Sequence, residues 1–270
     1  LSFKNIAMKG INLIVFLLFG IVIFSCQKQE NTFQKRCAEL KSMGIIDSFS
    51  YPVVPGTPEW RELKNWEEMI DAVNIPEDTL HNMCTHGLVY SCAQCPMYRV
   101  IWAYEDKQDG FDVMVRDINS FAELCQRQDA AREFFDYYHT LQPADYDTTW
   151  TNIEKGDFMI HIYVTEVYLS RQVFLTQLTT NELENIVNQT YLKYQEKEKY
   201  DLSELCKLGS FFLIGNILYY NIEYQPFISF VENNQRMPVF LSNFAPAPVT
   251  YADFDSLKFY TKSFLQTLNE

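Results

Sequence analysis

Residues 75–139 decide the fold class, and they read IPEDTLHNMCTHGLVYSCAQCPMYRVIWAYEDKQDGFDVMVRDINSFAELCQRQDAAREFFDYYH. Helix start signals recur along this stretch. Pro76 is followed by a glutamate, Thr85 precedes an apolar run, and Asp129 precedes a pair of alanines. Proline suits the first turn of a helix, and a short polar side chain can accept a hydrogen bond from a free N–H at its start. The stretch therefore predicts a series of short helices.

Two further signals divide the same stretch. Ser120 with Glu123 fits a capping box, in which each side chain satisfies a free backbone N–H of the other residue. Asp109–Gly110 reads as a break, because aspartate and glycine favour turns. Phe111 and Met114 then begin an apolar face at helical spacing.

The rest of the chain continues the helical pattern. No proline occurs between Pro143 and Pro226, so long helices are expected there. The segment 159–168 (MIHIYVTEVY) is rich in β-branched and aromatic residues, but its apolar positions also fit one helical face, and we predict a helix. The predicted helical segments outside 75–139 are 33–43 with a stop at Gly44, a helix starting at Thr57–Pro58 and ending at Asn74, 154–178, 181–200 with a capping box at Thr179 and Glu182, 202–220, and a last helix starting with a box at Thr250 and Asp253.

Together these patterns predict an all-α protein, an irregular multi-helix array or bundle of about ten helices. One helical domain is expected over residues 33–270. Gln142–Gly156 contains weak helix formers and several acidic residues, so we expect a loop there. If the domain is divided into two halves, they are expected to meet near 142–156.

The N-terminus has the pattern of a bacterial lipoprotein signal. Lys4 and Lys9 precede an apolar run from Ile11 to Phe24, which is short for a membrane-spanning helix. An aliphatic residue, a small residue and then Cys26 follow the order of a lipobox. We predict a signal peptide over residues 1–25, lipidation of Cys26 and a polar tether over 26–32.

Charge narrows the classes of partner. The chain carries 22 basic and 35 acidic residues, a formal net charge of −13 at neutral pH. An acidic body is repelled by phosphate backbones, so nucleic acid is not an expected partner. It is also not attracted to anionic lipid, so the membrane contact is expected through the N-terminal lipid.

Cysteine and histidine cluster at His81, Cys84, His86, Cys92 and Cys95. Four such ligands can hold zinc, and the two-residue gap after Cys92 is a ligand-like spacing. Zinc ribbons, however, pair two close couples, and no second C-x-x-C occurs. The alternatives are buried core cysteines, which we favour, then a disulfide in an oxidising compartment, then a metal site. A redox C-x-x-C is less expected, since no βαβ pattern surrounds it.

Acidic residues suggest a further alternative. They gather over 105–112 and at Asp145 and Asp147, where we favour a solvated loop. Paired carboxylates could still form a hydrolase site, because sequence does not show which of them meet in space. No nucleophile elbow, zinc-protease, phosphate-loop or dinucleotide motif occurs in the chain.

A further pattern within residues 75–138 consists of Thr85, Leu88, Val89, Cys92, Pro96, Gln108 to Asp112, Asn119, Glu123, Leu124, Arg127, Asp129 and Ala130. At these positions the chain resembles a family of uncharacterised exported lipoproteins of Bacteroides-type bacteria. The resemblance implies a helical body and supplies no catalytic residue. The chain departs from the family pattern at Cys84 and Cys95, so the pattern supplies one cysteine of the cluster.

These observations lead to two functional hypotheses. The first is a membrane-tethered lipoprotein of the cell envelope, anchored in the outer membrane, that binds an envelope protein or a glycan without catalysis. The second is an envelope hydrolase that uses paired carboxylates or the Cys/His cluster. The first is preferred, with no cofactor and no catalytic residue expected.

Overall fold

The computed structural model describes residues 32–244 and 249–268. These described residues divide into two units, with the boundary between Asp47 and Ser48. In the first unit residues 32–42 are helical, and Gly44 follows with a positive φ of 68°, as the glycine signal predicted. The predicted signal peptide, the lipidation site at Cys26 and nearly all of the tether lie outside the described residues.

The described residues are all-helical, as predicted, and no strand occurs among them. They form fifteen α-helices, twelve of which have seven or more residues. In chain order the α-helices are α1 (32–42), α2 (Pro58–Glu62), α3 (Trp66–Val73), α4 (Glu77–Asn82), α5 (Thr85–Gln94), α6 (Lys107–Asp117), α7 (Asn119–Gln126), α8 (Ala130–Thr140), α9 (Asn152–Leu169), α10 (Gln172–Leu175), α11 (Thr180–Lys199), α12 (Glu204–Asn216), α13 (Gln225–Glu232), α14 (Met237–Asn243) and α15 (Tyr251–Thr267). Short 3₁₀ turns lie at Val100–Ala103 and Pro143–Asp145, and a π-helical turn lies at Ile217–Asn221.

Most predicted helix starts are confirmed. The Thr57 side chain accepts from the backbone N–H of Trp60 at the start of α2, and α5 begins at Thr85. Complete capping boxes begin α11 and α15. These short-range signals succeed because the cap and the N–H that it satisfies lie within one turn.

The predicted capping box at Ser120 is wrong. Helix α7 begins one residue earlier, at Asn119, without a side-chain cap. The Asn119 side chain instead bonds across the fold, accepting from the N–H of Ile75 at 3.0 Å and donating to the carbonyl of Ile75 at 2.7 Å. A tertiary contact with the segment before α4 therefore sets this helix start.

The predicted break at Asp109–Gly110 is also wrong, since both residues lie inside α6. A β-carbon at Gly110 would lie 3.0 Å from the Cα of Ile101, which is tighter than ordinary packing. The glycine lets α6 approach the 3₁₀ turn at Val100–Ala103. It is required for close packing between elements and does not end the helix.

Two predicted helices are divided. The helix expected from Thr57–Pro58 to Asn74 forms α2 and α3, which are separated by residues 63–65. The helix expected over 154–178 is divided as well. A capping box of Thr151 and Glu154 begins α9 at Asn152, inside the segment predicted as a loop. The helix ends at Leu169, where the Ser170 hydroxyl donates to the carbonyl of Val167 at 2.6 Å. Such side-chain bonds compete with the helical backbone bonds. Arg171 is extended, with ψ 137°, and the short helix α10 follows it.

Residues 142–156 lie within the second unit, and the helices on either side of them, α8 and α9, pack together. The centre of this unit is α12, which packs on α9, α11, α14 and α15. Every residue of α12 from Gly209 to Asn216 is buried. A helix that is apolar on all sides is expected in the middle of a protein.

An ion pair lies inside this core between Glu166 of α9 and Lys197 of α11, both fully buried. The Lys197 ammonium donates to the two carboxylate oxygens at 2.6 and 2.7 Å and to the carbonyl of Cys206 at 2.8 Å. The hydroxyls of Tyr138 and Ser210 donate to the same carboxylate at 2.7 and 2.8 Å. These bonds satisfy both charges and join α8, α9, α11 and α12.

Within the described part of the chain, no helix alone has the length and hydropathy of a membrane span. One pair, Glu204–Asn221 with Gln225–Glu232, meets those criteria together and is bent by 105°.

Candidate binding groove

The five Cys/His candidates do not form one cluster. Within residues 32–244 and 249–268, no three of them bring ligand atoms within 4.8 Å of one another. His81 is exposed, and its Nδ1–H donates to the carbonyl of Glu77 one turn earlier at 2.9 Å. Cys84 and His86 do approach within 4.8 Å. Cys84, however, is disulfide-bonded and so lacks the thiolate that zinc requires.

Cys92 and Cys95 are buried free thiols in the core. Burial raises the pKa of Cys92 well above its usual value and raises that of Cys95 to about 11. A buried protonated thiol packs as a small apolar side chain and is a poor nucleophile. Both residues therefore have the environment of core cysteines, the interpretation favoured from sequence.

The acidic candidates serve different local purposes. Asp106 caps α6 by accepting from the N–H of Gln108, and Asp147 accepts from Thr149 at 2.7 Å. Asp112 forms an ion pair with Arg171 at 2.8 Å. The structure thus places Asp112 beside a cation, Asp106 at the start of a helix and Asp147 in a local turn.

Asp112 lies on the wall of a groove of about 640 Å³. The groove runs between α6, the Ser170–Arg171 break, α10, the end of α12 and α14. Its walls combine apolar side chains such as Phe111 and Leu241 with charged and neutral polar groups. Concave sites of this size, mostly apolar with a few directed polar groups, are typical of ligand pockets.

Arg171 carries the main charge of the groove. Its side chain is 16% exposed, and its guanidinium lies over the ring of Phe111 at 4.7 Å from the centroid. Burial lowers the pKa of Arg171, while Asp112 opposes that shift. The ring and the carboxylate hold the guanidinium in place, because arginine stacks on aromatic faces and pairs with carboxylates.

A π-helical turn forms another part of the groove wall. After Asn216, α12 changes from α to π geometry, and the N–H of Ile222 bonds the carbonyl of Ile217 at 2.9 Å. Asn216 and Tyr220, at either end of this change, both line the groove. π turns within helices occur frequently at functional sites, because they redirect side chains that an α-helix would place elsewhere.

Cys125 of α7 also lines the groove. Its thiol is partly buried, and burial raises its pKa to about 11. It is therefore held protonated at neutral pH and contributes a neutral contact surface.

Sequence reasoning found Asp112 but missed Arg171. Five segments build the groove, namely α6, α7, residues 170–173, the end of α12 with its π turn, and α14, so no local motif marks it. One signal was present: Arg171 is the only lysine or arginine between Lys155 and Lys193. A single cation within a long, largely apolar helical region is unusual, because an unpaired charge is costly to bury.

No family model, no curated protein and no solved structure matches this chain.

Proposed function

We propose that this protein is a membrane-tethered lipoprotein of the bacterial cell envelope and that it binds a ligand without catalysis. The lipid on Cys26 would hold the protein to the membrane, and the groove beside Arg171 would bind a glycan or a segment of an envelope protein. The lipobox pattern and the resemblance over residues 75–138 support the location. The net charge of −13 favours these partners over nucleic acid.

One observation carries the binding proposal: a concave groove of about 640 Å³ with a mostly buried arginine on its wall. Arginine keeps its charge at all relevant pH values and presents directed donors. The surrounding apolar side chains would cover the ligand and exclude water. The apolar side chains therefore supply contact area for a ligand, and the arginine fixes its orientation.

The hydrolase alternative has weaker support. Asp112 is the one carboxylate among the described residues that line the groove, and it is paired with Arg171. A glycosidase of the usual kind needs two facing carboxylates. The thiol of Cys125 is held protonated by burial, which disfavours a nucleophilic role.

A groove-filling substitution tests the binding site. The full-length protein in detergent is applied to an array of envelope oligosaccharides and peptides, together with Val173→Trp and Leu192→Trp variants. Val173 lines the groove and is 37% exposed, whereas Leu192 is 47% exposed on α11 and does not line it. We expect the wild type and the Leu192 variant to bind the same compounds. The affinity of the Val173 variant for these compounds should be lower by at least about tenfold. Unchanged binding by the Val173 variant contradicts the site.

Fractionation tests the anchor. Cys26→Ala removes the thiol that the lipid would occupy, so the variant is expected to leave the membrane fraction. Cys125→Ala is the comparison, because it removes a free and partly buried thiol that lies outside the N-terminal region. If the Cys26 variant stays with the membrane as the wild type does, the lipid anchor is wrong.

A further inference from the structure

The guanidinium of Arg171 has unused hydrogen-bond donors. Within the described residues it makes one hydrogen bond, from Nη2 to Oδ1 of Asp112 at 2.8 Å. A guanidinium carries five N–H donors in a planar fork that matches the two oxygens of a carboxylate. The side chain is only 16% exposed, so few of the remaining donors can be satisfied by bulk water. A ligand that supplies acceptors here would satisfy groups that the fold leaves free.

Arg171 is the cation that an anionic ligand would contact in the groove. The other lining arginine, Arg116, is 68% exposed and is held in an ion pair by the neighbouring Asp117 at 2.6 Å. Each of the two arginines therefore has an aspartate partner, and what Arg171 offers a ligand is its unused N–H donors. Asp112 is 68% exposed and contacts the guanidinium through one oxygen, so it covers part of the fork and leaves the rest accessible.

Three neutral polar side chains of the groove, Ser170, Ser242 and Asn216, have oxygens that can accept hydrogen bonds. The hydroxyls of Ser170 and Ser242 donate to the main-chain carbonyls of Val167 and Val239. The amide nitrogen of Asn216 donates to the carbonyl of Phe212 at 2.9 Å. Each of these side chains has used a donor on its own helix and keeps oxygen lone pairs. Their complement is a ligand that donates, as hydroxyl groups do.

We propose that the groove binds a hydroxyl-rich carboxylate, the chemistry of a sugar acid. The carboxylate bonds the free N–H edge of Arg171, and the hydroxyls donate to Ser170, Ser242 and Asn216. This assignment rests on the binding function proposed above and names its ligand class. Asp112 competes with the ligand for the guanidinium, so it lowers the affinity of the groove for the ligand.

Calorimetric titration of the full-length protein in detergent tests the ligand class with three probes. Glucuronate has both the carboxylate and the hydroxyls, glucose has the hydroxyls alone, and N-acetylglycine has a carboxylate without them. We expect glucuronate to bind, with each of the other two at least about tenfold weaker, since each leaves one set of groups unpaired. Equal binding of glucose overturns the carboxylate contact, and equal binding of N-acetylglycine overturns the hydroxyl contacts.

Two substitutions with opposite expected effects test the residues. Arg171→Lys keeps the charge and loses the fork, so glucuronate should bind about tenfold or more weakly. Asp112→Asn removes the competing carboxylate from an exposed position, so glucuronate should bind about fivefold more tightly. The second variant keeps the test decisive even if the first fails to fold. Weaker or unchanged binding by the Asp112 variant overturns the proposal.

The outcomes separate this proposal from the binding function itself. If none of the three probes binds, but array compounds bind in a way that Val173→Trp abolishes, the sugar-acid assignment is wrong and the binding groove stands. If the array compounds bind equally to the Val173 variant, the groove is not the site and both proposals fail.

Discussion

His161 on α9 is a residue whose charge depends on its burial. Its Nε2 shares a hydrogen bond with the Tyr137 hydroxyl, and burial, with a smaller contribution from Arg99, lowers the pKa of His161 to about 4. The folded protein therefore holds His161 neutral, whereas the unfolded chain binds a proton below about pH 6.5. Above about pH 6.5 the imidazole is neutral in both states and does not oppose folding. As the pH falls from there toward 4, only the unfolded chain gains the proton, so the free energy of unfolding decreases.

We expect the free energy of unfolding to fall by about 2 kcal/mol from this residue between pH 6.5 and about pH 4.5. Urea unfolding at several pH values measures it. His161→Gln keeps a polar side chain that does not titrate, so it should lose this part of the pH dependence. Wild type and variant that decline in parallel would show that His161 is not the titrating group.

Lys197 supports a second prediction at the same scale. Its replacement by methionine leaves the Glu166 carboxylate buried without a counter-ion, at an expected cost of about 3–5 kcal/mol. Adding Glu166→Gln removes the stranded charge and keeps an acceptor for Tyr138 and Ser210. The double variant should therefore recover at least about 2 kcal/mol of the loss. Urea unfolding measures the free energy of unfolding of each variant. If the losses of the two single variants add in the double variant, the coupling between Lys197 and Glu166 is contradicted.

Two helix glycines differ in what surrounds them, and this difference can be measured. A β-carbon at Gly209 of α12 would lie 2.5 Å from Oε2 of Glu166, whereas one at Gly156 of α9 would meet nothing within 4 Å. Alanine favours a helix over glycine by about 1 kcal/mol. Gly156→Ala should therefore stabilise by about 0.5–1 kcal/mol, while Gly209→Ala should destabilise by about 1–3 kcal/mol. Thermal unfolding compares them, and an equal gain from both would refute the close approach of α9 and α12.

Sequence predicted the helices where the deciding contact is local. The boxes at Thr179 and Thr250 each act within one turn, and Gly44 ends α1 by its own backbone freedom. It failed where a distant segment decides. Gly110 looked like a break until its partner Ile101 was known, and Asn119 takes its position from Ile75. The groove follows the same rule, since Arg171 and Asp112 meet only in the fold.

At the scale of the whole molecule, the groove places one mostly buried cation in an acidic chain. Its guanidinium lies at the break between α9 and α10, and the π turn after α12 lines the same groove. Both irregularities interrupt helices that sequence predicted as continuous. Departures from regular geometry in one place are expected where a fold serves a site as well as a core.

The most direct test of the groove as the ligand site is hydrogen exchange on the full-length protein in detergent, with and without the array compound that the wild type binds most tightly. Bound ligand should slow exchange in four segments: Lys107–Asp117, Gln172–Leu175, Ile217–Asn221 and Met237–Asn243. Helix α4, which shares few contacts with these four segments, should be unchanged. Protection confined to helices that do not line the groove, with none in these four segments, would contradict the groove as the ligand site.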